Sequence, residues 1–303
     1  APFARLGVKR LLRRHPLRYG DAYLLIAPFV LLIVLFVLIP FVLSLVFSFQ
    51  NMTLTDPDNI RWIGFKNYER LFTDPSIRRV LGNTAFYVVV TVTFEMLFGL
   101  MVALLLRRNF RIRFLVLAVM ILPWALPPVV GGVTWRWIFH PQYGIVNVLF
   151  ERWGWISEYK LWTSNRWMAL LLVCLIVVWR NLPYVSLILL SFLQQIPADL
   201  YESAAIDGAG KWQQFRRVTL PLLLPGITIA ISLATMISMN IFDEPYIMNQ
   251  FSMDTMSVTM KNYTVAFRDM KFGYGMAISM MVTALTLLIN FSYIKTMYKE
   301  EAA

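Results

Sequence analysis

YESAAIDGAGKWQQF, residues 201–215, is polar and rich in small side chains, yet long apolar runs flank it on both sides. Gly208-Ala209-Gly210-Lys211 has the look of a phosphate-binding loop. The spacing does not fit one. A Walker A loop, G-x-x-x-x-G-K-[ST], needs glycine at position 205 and Ser or Thr at position 212. Ala205 and Trp212 stand there, and no strand pattern comes before them. The meaning of the segment therefore has to come from its flanks.

Those flanks are membrane-like. The 303 residues are 58% hydrophobic and 15% charged, with a mean hydropathy of +0.62. A soluble domain carries about 25% charged residues. The apolar excess comes in blocks, and about 20 apolar residues suffice to cross a bilayer. Six stretches qualify, roughly 22–49, 80–106, 114–138, 167–193, 220–243 and 274–296. The first is too long and too Pro-interrupted for a cleaved signal peptide. One all-α membrane domain with six spans, residues 22–303, follows, preceded by a basic segment at 1–21. Residues 5–14, RLGVKRLLRR, have the pattern of a basic helix on the inner leaflet or of a solvated positive tail.

The charge excess is +11. Much of it marks topology. Arg5, Lys9, Arg10, Arg13, Arg14 and Arg18 precede the first span, and Arg107, Arg108, Arg111 and Arg113 crowd the short turn after the second. The positive-inside rule puts these, and hence both termini, in the cytoplasm. A nucleic-acid partner is disfavoured for the same reason. The single cysteine, Cys174, lies in an apolar run, so no intrachain disulfide or Cys-based zinc site is available. The two histidines, His15 and His140, form no H-E-x-x-H pair, and no triad or paired-carboxylate arrangement has persuasive spacing. The chain reads as a non-enzyme.

Irregularities fall in four spans, two to five. LPWALPPVVGGVTW, residues 122–135, holds three prolines and a Gly-Gly pair. Backbone interrupted this way is tolerated where it is buried in protein or lines a wet cavity. Glu95 and Arg180 sit at similar depth in spans two and four, so an intramembrane ion pair between them is expected, with Arg180 facing substrate as the alternative. Asn181, Tyr184 and Ser186 cluster with Arg180. Thr235, Ser238 and Asn240 line one side of span five, with Asp243 and Glu244 just beyond.

Residues 202–221 also match a motif. The permeases of binding-protein-dependent ABC importers carry E-A-A-x(3)-G-x(9)-I-x-L-P before their penultimate span. Glu202, Ser203, Ala204, Gly208, Val218, Leu220 and Pro221 occupy those positions here, with Ser203 and Val218 as mild departures. IGFKNYERLF at 63–72, LPWALPPVVGGVTWRWIF at 122–139 and IPADLYESAAIDGAG at 196–210 resemble the sugar branch, similar to the larger maltose-type subunit. FDEPYIMN at 242–249 matches more loosely, without the usual Gly-Gly-Pro after it.

The resemblance implies a type I ABC importer permease in a bacterial cytoplasmic membrane. Its expected partners are a homologous second permease, two ATP-binding subunits, an extracytoplasmic solute-binding protein and an oligosaccharide. ATP and Mg would sit in the ATPase subunits, with no cofactor in this chain. The loop at 197–220 would be the coupling segment, with Glu202, Ser203, Ala204, Asp207 and Gly208 at the ATPase. Arg180, Asn181, Tyr184, Ser238 and Asn240 map onto the sugar pathway. Arg180 favours an acidic sugar such as a uronic-acid oligomer. A neutral oligosaccharide or a glycerol phosphate is the alternative, and an ATP-independent secondary transporter is the rival class.

Overall fold

A computed structural model of the chain describes residues 19–56 and 58–301. The basic segment at 5–14 lies outside the described residues. The fold is all-helical. In chain order the helices are α1 (Tyr23–Ser48), α2 (Lys66–Thr73), α3 (Pro75–Arg107), α4 (Arg113–Ala125) and α5 (Pro128–Ile138). Then come α6 (Ile145–Arg152), α7 (Arg166–Gln195), α8 (Ala198–Ile206) and α9 (Lys211–Met239). The chain ends with α10 (Asp243–Asn249), α11 (Val258–Tyr263) and α12 (Phe272–Lys295).

Five of these helices, α1, α3, α7, α9 and α12, are long and apolar enough to cross a membrane. The third predicted span is two helices, α4 and α5, bent by 97°. The cause is in the sequence. Pro127 and Pro128 push the residues before them out of the helical region, and Leu126 and Pro127 are extended, with ψ of 139° at both. Helix resumes with Pro128 at its first position, where the missing N–H costs nothing. Counted as one span, the pair makes six.

α7 is the central element. It packs along α3, and α4, α5, α9 and α10 lean on it. Of its most apolar 18-residue window 61% is buried, against none of the window in α1. Leu189 and Leu193 of α7, Leu223 of α9 and Ile278 of α12 belong to one extended apolar core, to which α3 also contributes. α1 packs through its second half against α12 and is otherwise exposed and apolar, as expected of a face that meets lipid or another apolar helix.

Two boundaries depart from the sequence reading. α9 starts at Lys211 rather than near 220, so the second half of the coupling loop is helically continuous with span five through a π-turn at Phe215–Thr219. α9 also stops at Met239. Asn240 caps it, and Asp243 and Glu244 open the separate helix α10. α10 lies close against α5: a Cβ added to Gly132 would fall 2.7 Å from Ile247 Cδ1. The Gly-Gly pair of span three thus serves a close helix approach.

Candidate functional site

Four helices bring polar side chains together in the apolar interior. Arg180 of α7 does not pair with Glu95. Its Nη2 lies 2.8 Å from Glu244 Oε1, and Glu244, in the first turn of α10, is 2% exposed. The expected Glu95–Arg180 pair is replaced because α10 folds back over α7 and delivers a nearer carboxylate. Glu95 of α3 instead accepts a hydrogen bond at Oε1 from Asn181 Nδ2, at 3.1 Å. Its Oε2 is buried without a hydrogen-bond partner among the described residues. Adjacent residues on α7 therefore contact acids on two different helices.

One turn before Glu95, Thr91 donates to Tyr87 O at 2.7 Å and lies 2.7 Å from Ser238 Oγ of α9. With the Thr91 hydroxyl donating to its own helix, Ser238 is the donor of the second bond. Thr235, one turn earlier on α9, is buried with no hydrogen-bond partner among the described residues. Ser186 donates to Leu182 O.

The residues mapped to the pathway therefore divide. Asn181 and Ser238 are buried, and their side chains bond to α3. Asn240 is exposed at the end of α9 and donates to Met236 O. Arg180 keeps 17% of its side chain exposed. Tyr184, one turn on, is half-buried and stacks on Trp124, with ring centroids 6.0 Å apart and planes within 9°. Trp124 is half exposed at the end of α4, at the sharp bend. A guanidinium one helical turn from an aromatic pair is suited to a ligand with apolar ring faces and polar or anionic edges.

Sequence reasoning missed Glu244 as the partner of Arg180 and Trp124 as the partner of Tyr184. The first had a legible signal, an acid beside proline in an otherwise apolar stretch. The second depends on the bend angle, which no local pattern encodes.

The second candidate region is the polar loop. α8 begins after Pro197, and its C-terminal Asp207 is followed by Gly208 at φ +81°, a left-handed turn that glycine enters without strain. Glu202, Ser203, Asp207 and Gly208 are exposed, while Ala204 is half-buried. Ile206 is 86% exposed and Trp212 is 70% exposed on either side of the turn. Apolar side chains held that far out at a turn mark a contact surface. Among the described residues there is no group of three metal-ligating side chains.

A helical membrane domain with a broken third span, a polar centre and an exposed helix–Gly–helix loop defines a multi-pass transport subunit. The chain belongs to the family of binding-protein-dependent transport system inner membrane components, whose model matches residues 95–294. It is 34% identical over 278 residues to the sulfoquinovosyl glycerol transport system permease protein of Agrobacterium fabrum, covering 90% of this chain and 89% of that one. It is 30% identical to the diacetylchitobiose uptake system permease protein of Streptomyces coelicolor, over 92% of this chain and 87% of that one. The fold is similar to that in a crystal structure of a bacterial ABC transporter that imports the acidic polysaccharide alginate. The TM-score there is 0.79 at 19% identity, over 92% of this chain and 95% of that one.

The chain is thus a non-catalytic permease subunit of the ABC-importer type, of the bacterial inner membrane. The likeness is to carbohydrate permeases as a group and not to the maltose-type branch in particular.

Proposed function

We propose that this chain forms half of the translocation path of an ATP-driven importer for an oligosaccharide or glycoside that carries an acidic group. The observation that carries the reading is Arg180, still partly exposed one turn from the Tyr184–Trp124 pair at the bend of the third span. A guanidinium has five N–H donors. Glu244 lies against one terminal nitrogen, Nη2, and Nε is buried without a hydrogen-bond partner among the described residues, so the 17% of the side chain still exposed is what a ligand can reach. Donor capacity remains for a carboxylate or sulfonate, and the aromatic pair offers ring surface to a sugar. One relative is the permease of a sulfoquinovosyl glycerol transport system, and the sulfonate of a sulfoquinovosyl group supports the same direction.

The rest of the assembly follows the family. A homologous permease would complete the path, two ATPase subunits would bind ATP and Mg, and a solute-binding protein would deliver substrate from outside. Both termini and the α8 loop would lie in the cytoplasm. The exposed Glu202, Ile206 and Trp212 would then seat in the ATPase, with Gly208 allowing the turn. Such an amphipathic helix-in-groove contact suits a short helix with exposed apolar anchors.

The test is a binding screen of the purified cognate solute-binding protein against uronic, sulfonated and neutral oligosaccharides, followed by reconstituted uptake of the best ligand. Arg180→Gln should lower uptake of an acidic ligand at unchanged ATPase assembly. Selective binding of neutral sugars alone would overturn the acidic assignment. Uptake by the chain reconstituted alone would overturn the importer assignment.

A further inference from the structure

Three elements that lie far apart in sequence meet at one hydroxyl beside the α8 loop. Tyr201, next to Glu202 on α8, packs its ring on the apolar core and carries the Arg107 guanidinium 4.4 Å above the ring centroid. Arg107 is the last residue of α3, and its Nη1 donates to Tyr201 Oη at 2.9 Å. The Tyr201 Oη also lies 2.9 Å from Thr219 Oγ1, the last residue of the π-turn within α9. Arg107 can only donate. The tyrosine proton is thereby free to be given to Thr219, whose residue is 3% exposed. Ring, hydroxyl and guanidinium together form a cation–π contact and two hydrogen bonds at one point.

We propose that Tyr201 is a positioning residue for coupling, tying α8 through Arg107 to α3 and through Thr219 to the start of span five. This rests on the reading of α8 as the ATPase contact. A displacement of α8 then reaches two spans at once. One is α3, which holds Glu95 and Thr91, and the other is α9, which holds Ser238. The backbone link from α8 to α9 runs through Gly208 and Gly210, residues that transmit little force because they resist bending least. The side-chain contact is the stiffer route. α8 also reaches α3 indirectly, through α7, which packs along α3 and ends two residues before α8, and Tyr201–Arg107 is the direct side-chain contact between the two.

The test uses the complete transporter, both permeases with ATPase subunits and binding protein, in proteoliposomes. ATP with vanadate is the probe, so no substrate need be known. Cys174 is this chain's single cysteine and is buried, so an Arg108→Cys change at the exposed end of α3 gives a clean maleimide label on it. Vanadate trapping should change the labelling rate at position 108 by about tenfold in the otherwise unaltered chain. Tyr201→Phe, which keeps the ring under Arg107, should remove most of that change while the ATPase subunits still copurify and still trap nucleotide. Thr219→Val should act in the same direction. Arg107→Met combined with Tyr201→Phe should be no worse than either alone.

The proposal is overturned if position 108 does not respond in the unaltered chain, or if Tyr201→Phe keeps the full response. It is also overturned if Tyr201→Phe loses the ATPase, because the contact would then only shape the docking surface. Glu202→Lys separates the underlying reading. If that variant retains both the ATPase and the response, the loop assignment fails, whatever Tyr201 does.

Discussion

The Arg180–Glu244 pair permits a quantitative test. Nη2 and Oε1 are 2.8 Å apart, the side chain of Glu244 is 2% exposed and that of Arg180 is 17% exposed. At an effective dielectric constant of about 20, two unit charges about 4 Å apart attract by roughly 4 kcal/mol. Breaking a buried pair by removing one partner costs a similar amount, about 3–5 kcal/mol, because the other charge is left uncompensated. Arg180 retains some solvent, so Glu244→Met should cost about 3 kcal/mol, the lower end of that range. Arg180→Met strands the more deeply buried group and should cost more.

The double variant is the decisive measurement. Two methionines remove both charges and roughly fill the space, so the double variant should be no less stable than the better single one. Reversible denaturation of the permease pair in mixed micelles would give the three values. Losses that simply add would refute the claim that these side chains compensate each other. A double variant that folds well and yet fails to import an acidic ligand would separate the structural role of Arg180 from its role towards substrate.

Other consequences can be checked singly. Asn181→Leu removes the donor that Glu95 has among the described residues and should destabilise the fold by about 1–3 kcal/mol, while Glu95→Gln should be nearly neutral. The same denaturation assay reads both. Gly132→Val drives a side chain into Ile247 and should cost about 1–3 kcal/mol, with uptake falling alongside thermal stability. Asp74 caps α3, accepting from Ser76 N at 2.9 Å and Ser76 Oγ at 2.7 Å. Burial raises its pKa, but these bonds and one from Tyr274 outweigh that and leave it below the ordinary 3.8. A depressed carboxyl adds stability above its unfolded-state pKa and loses it as pH falls through the folded value. The advantage over Asp74→Ala, about 1 kcal/mol at neutral pH, should therefore disappear on acidification below 3.8.

Much of the fold was legible because bilayer length is a strong constraint. Spans two, four and six needed only their apolar runs, with ends shifted by a few residues. The break in span three was legible from Pro123, Pro127 and Pro128, although its angle of 97° was not. The start of α9 was placed too late because the polar run with Trp212, Phe215, Arg216 and Arg217 reads as a separate short helical piece before Pro221. The helix tolerates them before its apolar run begins. The polar centre was legible as a set and not as pairs. Depth along a helix placed Glu95 near Arg180, but partner choice depended on α10 folding back, which needs Gly132 to admit Ile247. Hydropathy marks residues that must find a partner and does not indicate which helix supplies it.

The two candidate regions are joined by geometry. From Arg180 to Gln195, α7 is one uninterrupted helix despite Pro183, a length of about 22 Å at 1.5 Å per residue. Ile196 and Pro197 are extended, and α8 starts at the next residue. The segment that would receive the ATPase's motion is therefore two residues from the helix that carries Arg180 and Tyr184. α7 is also the most buried span, so it cannot shift without its neighbours. Because Asn181 ties it to α3 and Arg180 ties it to α10, a push on α8 must either move these helices with α7 or break a buried polar contact. The cost of breaking one favours collective movement. A transporter that opens a path between helices, rather than bending one of them, requires that behaviour.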